Sequence, residues 1–272
     1  MLVQALCGAP GSVAVPATCV VAAHPDDETV GAGSRLPRLK HAHFVYVTDG
    51  APADGHDAAR HGLDVAGYRA LRARERDAAL ASCGIPPGQV IDLGCPDQQA
   101  ARRLPHLAMR LADLFHDLRP EAVLTHPCEG GHPDHDATAF AVHAAAALLR
   151  RRGERSPALF EMTSYHHGAQ GLRSGEFLPD AAADAGAASV LLDAGDRRRK
   201  RALLACYASQ HETLAQFGVD VERFRPAPRY DFSRPPHAGP LYYEMHPWGL
   251  DGAAFRALAI AAMAQLQLEG AL

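Results

Sequence analysis

The stretch VVAAHPDDETVGAG, residues 20 to 33, decides how the rest of the chain is read. Cys19 to Ala23 is a short apolar, β-branched run and predicts a buried strand. Pro25 has no amide donor and holds His24 extended, so the strand is expected to stop there. One imidazole and three carboxylates, His24, Asp26, Asp27 and Glu28, follow within five residues. Packing gives no reason for that cluster. In open α/β sheets the carboxyl end of a strand is where ligands bind.

A second cluster lies about a hundred residues on, in LTHPCEGGHPDHDATAF (124–140). His132-Pro133-Asp134-His135 again groups imidazoles and a carboxylate around a proline, just before an alanine-rich run that predicts a helix. Two close ligands from one loop with a distant third is the usual build of a catalytic zinc site, which keeps a fourth position for water. AHPDDE followed by HPDH resembles the LmbE-like, PIG-L family of zinc-dependent de-N-acetylases. That family includes N-acetylglucosaminyl-phosphatidylinositol deacetylases and bacterial thiol-biosynthesis deacetylases. The resemblance covers residues 17 to 165; beyond them only Ser209-Gln210 looks familiar.

The resemblance implies one Zn²⁺ per chain, held by His24, Asp27 and His135, donors that suit zinc. It implies Asp26 as the general base that takes a proton from water. The alternative for Asp26 is a helix cap. His132 is implied to stabilise the oxyanion and help the amine leave. Asp134 would orient an imidazole and favour its protonated form, with an N-cap as its alternative. Arg72-x-x-Glu75 followed by Gly84 is similar to the family's R-x-x-E…G helix, which makes Arg72 a substrate contact; the alternative is an ordinary exposed arginine. LGCPD (93–97) is similar to a family LGxPD element, placing Asp97 against sugar hydroxyls. Some relatives carry an aromatic hydroxyl just before HPDH, where this chain has Gly130-Gly131. Oxyanion support is then expected from His132 and the metal, or from Tyr165 on the following strand.

Elsewhere the chain alternates strands and helices. Strands are expected at 43–50, 89–94, 121–126 and 159–167, and helices at 28–36, 68–83, 101–118, 136–152 and from Gly252 onward. This order predicts an α/β fold, a Rossmann-like, mostly parallel sheet flanked by helices. Residues 1–17 read as a loose lead-in and 51–67 as a mobile loop over the strand ends. We expect one domain over 1–272, with the core sheet and metal site in 17–165 and a C-terminal cap on the substrate side in 166–272.

Composition sets the broad class. The 272 residues are 47% hydrophobic and 21% charged, with a formal net charge of −4. That balance argues against a nucleic-acid or anionic-membrane partner. No apolar run approaches a membrane span of roughly 20 residues, and the N-terminus lacks a signal peptide's positive region. The six cysteines form no CxxC pair, which excludes a zinc ribbon and points to the cytoplasm. A homo-oligomer is left open.

The expected activity is zinc-dependent removal of an N-acetyl group from an N-acetylglucosamine-like sugar or glycoconjugate. Two alternatives stand beside it: an amidase for a larger amide such as a thiol conjugate, and a non-catalytic sugar-binding relative. A dehydrogenase is disfavoured, because Leu36 stands where the third glycine of G-x-G-x-x-G belongs.

Overall fold

The computed structural model describes residues 1–272 except Pro10 and Ala271. The chain opens with α1 (Leu2–Cys7), β1 (Thr18–Ala22), α2 (Asp27–Ala32), β2 (His43–Pro52), α3 (His56–Arg60) and α4 (Val65–Ser82). It continues through β3 (Val90–Asp97), α5 (Leu104–Leu118), β4 (Ala122–Thr125), α6 (Pro133–Arg151) and β5 (Ala158–Met162). Then come β6 (Tyr165–Gly168), β7 (Gly171–Ser174), α7 (Ala181–Asp184), β8 (Ala188–Leu191) and α8 (Ala194–Leu204). The described elements end with α9 (His211–Leu214), β9 (Val221–Pro226) and α10 (Gly252–Leu266).

Seven strands form one sheet in the order β3-β2-β1-β4-β5-β9-β8, and β6 and β7 pair as a separate hairpin. Strands β1 to β5 run parallel, while β9 and β8 add antiparallel to β5 and to each other. All of β1 is buried, as expected for a central strand covered on both faces. Its side chains alternate between two cores. Cys19 and Val21 join the core under α5, α6 and α10; Val20 and Ala22 join the one under α1, α2, α4 and α8.

The strand order runs outward from β1 to β2 and β3, then restarts on its other side with β4 and β5. The crevice above β1 and β4 is therefore the topological switch point, where an open α/β sheet has room for a ligand. The His24 and His132 loops both leave from there.

Several boundaries differ from the sequence reading. Residues 2–7 are a helix, with Leu2 and Leu6 fully buried, and not a loose lead-in. The helix expected to stop before Pro37 gives way to a 3₁₀ stretch, Gly33–Leu39, that carries Pro37 inside it. Residues 51–67 hold the end of β2, the short α3 and the first turn of α4. Helix α6 begins at Pro133, whose missing amide costs nothing at a first helical position, so His135 lies in its first turn. In the C-terminal third, β8 and β9 extend the sheet itself.

Candidate active site

Both histidine loops are fixed by their own backbones. Asp26 sits at the N-cap of α2 with φ 130°, a conformation unfavourable for a side chain, and its carboxylate makes no capping bond. Arg72, on α4 and buried, donates from Nη2 to Pro25 O at 2.6 Å and to Asp26 Oδ2 at 2.9 Å. That anchor holds the strained turn and aims the Asp26 carboxylate. Burial pushes Asp26 up to about 8, against the opposing pull of Arg72.

Three donors converge beside it. His24 Nδ1 lies 3.2 Å from Asp27 Oδ2, His135 Nε2 lies 3.2 Å from Asp27 Oδ1, and the two nitrogens are 3.3 Å apart. Zn–N and Zn–O bonds of about 2.0–2.1 Å in a tetrahedron put neighbouring ligand atoms about 3.3 Å apart. The two imidazoles meet different oxygens of the Asp27 carboxylate, so the spacing is of the size a divalent ion needs without defining one set of three ligand atoms. Each imidazole is also held at its far nitrogen, His24 Nε2 by Asp97 Oδ1 and His135 Nδ1 by Ser164 Oγ, both at 3.1 Å. Such outer hydrogen bonds fix the ring orientation of metal-binding histidines.

The charges point the same way. Burial disfavours a charged His24, yet Asp97, Asp134 and Asp27 together raise it well above its ordinary value. Burial pushes Asp27 up, but His135 and His126 reverse this and leave it well below the usual carboxylate range. Burial lowers His135 to about 4 against the pull of Asp27, so only at His24 does the field draw a proton, and there it also favours a cation.

Overlapping sets of possible ligands include His24-His132-His135 and Asp27-His126-His135. His126 was not singled out from the sequence. It ends β4 as His24 ends its neighbour β1, and His126-Pro127 repeats His24-Pro25; that repetition was the available signal. Its Nε2 accepts from the Ala23 amide at 3.0 Å and lies 3.3 Å from Asp27 Oδ2, and its ring stacks on His135 at 4.2 Å.

His132 borders the centre, 4.5 Å ring to ring from His24. Its Nδ1 accepts from the Asp134 amide at 3.1 Å, so the neutral ring carries its proton on Nε2. Burial, followed by His24 and His135, lowers His132 well below its ordinary value and keeps it neutral. The Asp134 carboxylate does not bond His132. Its Oδ2 accepts from Gln98 N at 2.6 Å and its Oδ1 from Ala100 N at 3.0 Å, and Oδ2 lies 3.4 Å from His24 Nε2. Asp134 thus ties the end of β3 to the start of α6.

A cavity of about 210 Å³ opens over this group. Asp26, Arg72, Asp97, His132 and Tyr165 line it, with Asp57 from the 51–67 segment expected over the strand ends, and Leu214, Phe217 and Trp248, which the sequence reading did not single out. The structure therefore brings every candidate residue to one place except Asp134, which lies behind the wall. Arg72 and Asp97 line the cavity while bonded to Asp26 and His24. The Tyr165 ring lies 5.2 Å from His135, and burial holds its hydroxyl well above 10. Gly131 has no room for a side chain, since a Cβ there would lie 2.0 Å from Tyr165 O. The aromatic hydroxyl absent before HPDH could not be accommodated at that position.

Residues 19–146 match the PIG-L family, described as GlcNAc-PI de-N-acetylase. That stretch, a little under half of the chain, is similar to the family. A 1D-myo-inositol 2-acetamido-2-deoxy-alpha-D-glucopyranoside deacetylase from Mycobacterium sp. (strain KMS) is 32% identical over 46% of this chain and 48% of its own. A second protein of that description, from Catenulispora acidiphila, is 28% identical over 50% and 52%. The chain spans about half the length of the curated relatives it matches. In structure it is similar to the A40926 pseudoaglycone deacetylase Dbv21, with a TM-score of 0.56, 21% identity, and coverage of 78% of this chain and 96% of that one. No helix among the described residues is long and apolar enough to cross a membrane.

Proposed function

We propose that the chain is a zinc-dependent amide hydrolase that removes an N-acetyl group from an N-acetylglucosamine-like sugar or glycoconjugate. The observation that carries this reading is the closure of His24 Nδ1, the Asp27 carboxylate and His135 Nε2 to within 3.2–3.3 Å, with Asp26 and His132 bordering them. One zinc ion held there would supply Lewis acidity to an acyl oxygen and to water.

The chain's own groups divide the remaining work. Asp26, aimed by Arg72, accepts the proton of the attacking water. His132, fixed as an Nε2–H donor by the Asp134 amide, donates a hydrogen bond to the developing oxyanion. A proton returned from Asp26 lets the amine leave. Asp97 and Ser164 hold the two ligand imidazoles, while Arg72, Asp97 and Tyr165 border the substrate. This assignment treats His132 as a neutral donor, whereas the sequence reading expected Asp134 to protonate it.

The relatives' names support an amino-sugar amide as substrate. Six unpaired cysteines fit a reducing compartment, and we assign the chain to the cytoplasm. The test is direct: zinc-loaded protein is incubated with a panel of N-acetylated sugars and conjugates, and acetate release is measured. Release from at least one amino-sugar amide, abolished by chelation, is the expected result; no release from any member removes the proposal.

A further inference from the structure

The cavity over the metal-site residues has two unlike sides. Arg72, Asp97 and Gln98 belong to a polar side, while Val30, Tyr165, Leu214 and Phe217 form an apolar corner. The corner borders two of the donors directly. Val30 follows Asp27 by three residues on α2, which sets both on one helix face. The Tyr165 ring lies 5.2 Å from that of His135. An N-acylated amino sugar carries its scissile amide between one apolar group, the acyl chain, and one polyhydroxylated group, the sugar. Matched polarity directs the sugar to the carboxylates and the acyl chain into the corner.

Behind that corner lies a second cavity of about 130 Å³. Val30 and Phe217 line both cavities, and no other described residue does, so the two form the partition between them. One half of the partition is fixed from behind. Lys200, which is buried, donates from Nζ to Val30 O at 2.7 Å and pairs with Glu222 Oε1 at 3.1 Å. The other half is the Phe217 ring, 5.5 Å from the Tyr165 ring and set by a turn in which the Phe217 amide donates to Leu214 O at 3.1 Å.

The second cavity has room for carbon. Lys200 is already paired, and Ser164 Oγ is bonded to His135 Nδ1. Val30, Phe217 and Val221 supply apolar lining, while Thr163, Ser174 and Asp220 keep the space mixed, suited to a short chain and not to a long lipid. A cavity of about 150 Å³ holds a benzene molecule, so this one accepts an extension of a few carbons.

We propose that Phe217, closing against Val30, sets the length of the acyl group. The corner holds a chain of two or so carbons, and the phenyl ring bars longer chains from the second cavity. This rests on the amide-hydrolase reading and adds to it the residue that decides the acyl group, as distinct from the sugar.

The test varies the acyl chain on one sugar. Zinc-loaded protein is given N-acetyl-, N-butanoyl- and N-hexanoylglucosamine, and glucosamine release is followed for kcat/KM. Binding of the same amides is measured separately by calorimetry on zinc-loaded Asp26→Asn, with and without a change at Phe217. The wild type should prefer acetyl to hexanoyl by at least about tenfold, which a single misfitted methylene can supply. Phe217→Ala should shift that preference toward hexanoyl at least about tenfold, with hexanoyl gaining in absolute kcat/KM and in affinity. Phe217→Leu, which keeps apolar packing, should move the same way at least about threefold, and it carries the comparison if the alanine variant does not fold. Adding Ser174→Leu to either variant refills the second cavity and should remove the hexanoyl gain while leaving acetyl as it was. A wild type that takes hexanoyl as readily as acetyl overturns the inference. So does a Phe217 variant in which all chain lengths change alike, or a hexanoyl gain that Ser174→Leu leaves intact, which would place the chain elsewhere. A chain-length shift in binding without glucosamine release would uphold the inference and remove the hydrolase reading instead, and no binding of any of the three amides removes both.

Discussion

Arg72 donates from Nη2 to Oδ2 of Asp26 across 2.9 Å, with the arginine 3% and the aspartate 7% exposed. The guanidinium is the nearest compensation for a carboxylate that burial alone would keep protonated. Removing it should raise the Asp26 pKa further and shrink the ionised fraction at neutral pH. A general base works only when ionised, so the acidic limb of kcat should move to higher pH in Arg72→Gln. Activity should recover partly on the alkaline side. A variant that changes only KM, with an unmoved limb, would leave Arg72 a substrate contact and nothing more.

His135 brings its Nε2 to the shared point from the first turn of α6, and no other residue of that helix is placed among the three donors. His135→Ala should therefore lose most of the bound zinc, measured by metal analysis after dialysis against buffer. His126→Ala should keep zinc but hold it more weakly, by roughly ten- to a hundredfold, as expected for a group bordering a ligand carboxylate. Full metal content in dialysed His135→Ala would undo the ligand assignment. Loss equal to that of His135→Ala in the His126 variant would make His126 a ligand.

His132 accepts the Asp134 amide on Nδ1 and is held neutral, so its donor is available over the whole neutral range. His132→Ala should retain zinc and lose roughly 10²- to 10³-fold in kcat, the usual cost of an oxyanion donor. Any alkaline limb seen in the wild type should persist in this variant, because a neutral imidazole has no proton to lose there. An alkaline limb that vanishes with His132 would show that the imidazolium is the working form.

The N-terminal helix gives a prediction about stability. Leu6 is fully buried in the core under α1, α2, α4 and α8. Leu6→Ala should cost about 2–5 kcal/mol of unfolding free energy, read as a lower midpoint in urea. An unchanged midpoint would mean that residues 2–7 contribute nothing to that core.

The closeness of His24, Asp27 and His135 and the parallel strands were legible because each leaves a local mark: an apolar β-branched run, a proline, then polar groups. The N-terminal helix left no such mark. LVQALC is too short to show a period, and its burial depends on β8 and β9, which pair from nearly two hundred residues away. His126 was hidden for a related reason. Its meaning comes from β4 lying beside β1, which only the sheet order supplies. Trp248 and Phe217 enter the cavity from irregular segments, where no periodicity tells which way a side chain faces. Asp134 was legible as an acid near a histidine, but the sequence could not tell that its amide, and not its carboxylate, meets His132.

The central claim is that Asp26 performs the proton transfer at a metal centre it does not itself build. Acetate release from an N-acetylated amino sugar, compared between wild type and Asp26→Asn at equal measured zinc content, tests it most directly. Asparagine keeps the shape and a hydrogen-bonding partner for Arg72 but cannot accept the proton. The account predicts that Asp26→Asn binds zinc as the wild type does and turns over roughly 10²- to 10⁴-fold more slowly. Turnover within a few fold of wild type at the same zinc content would contradict it.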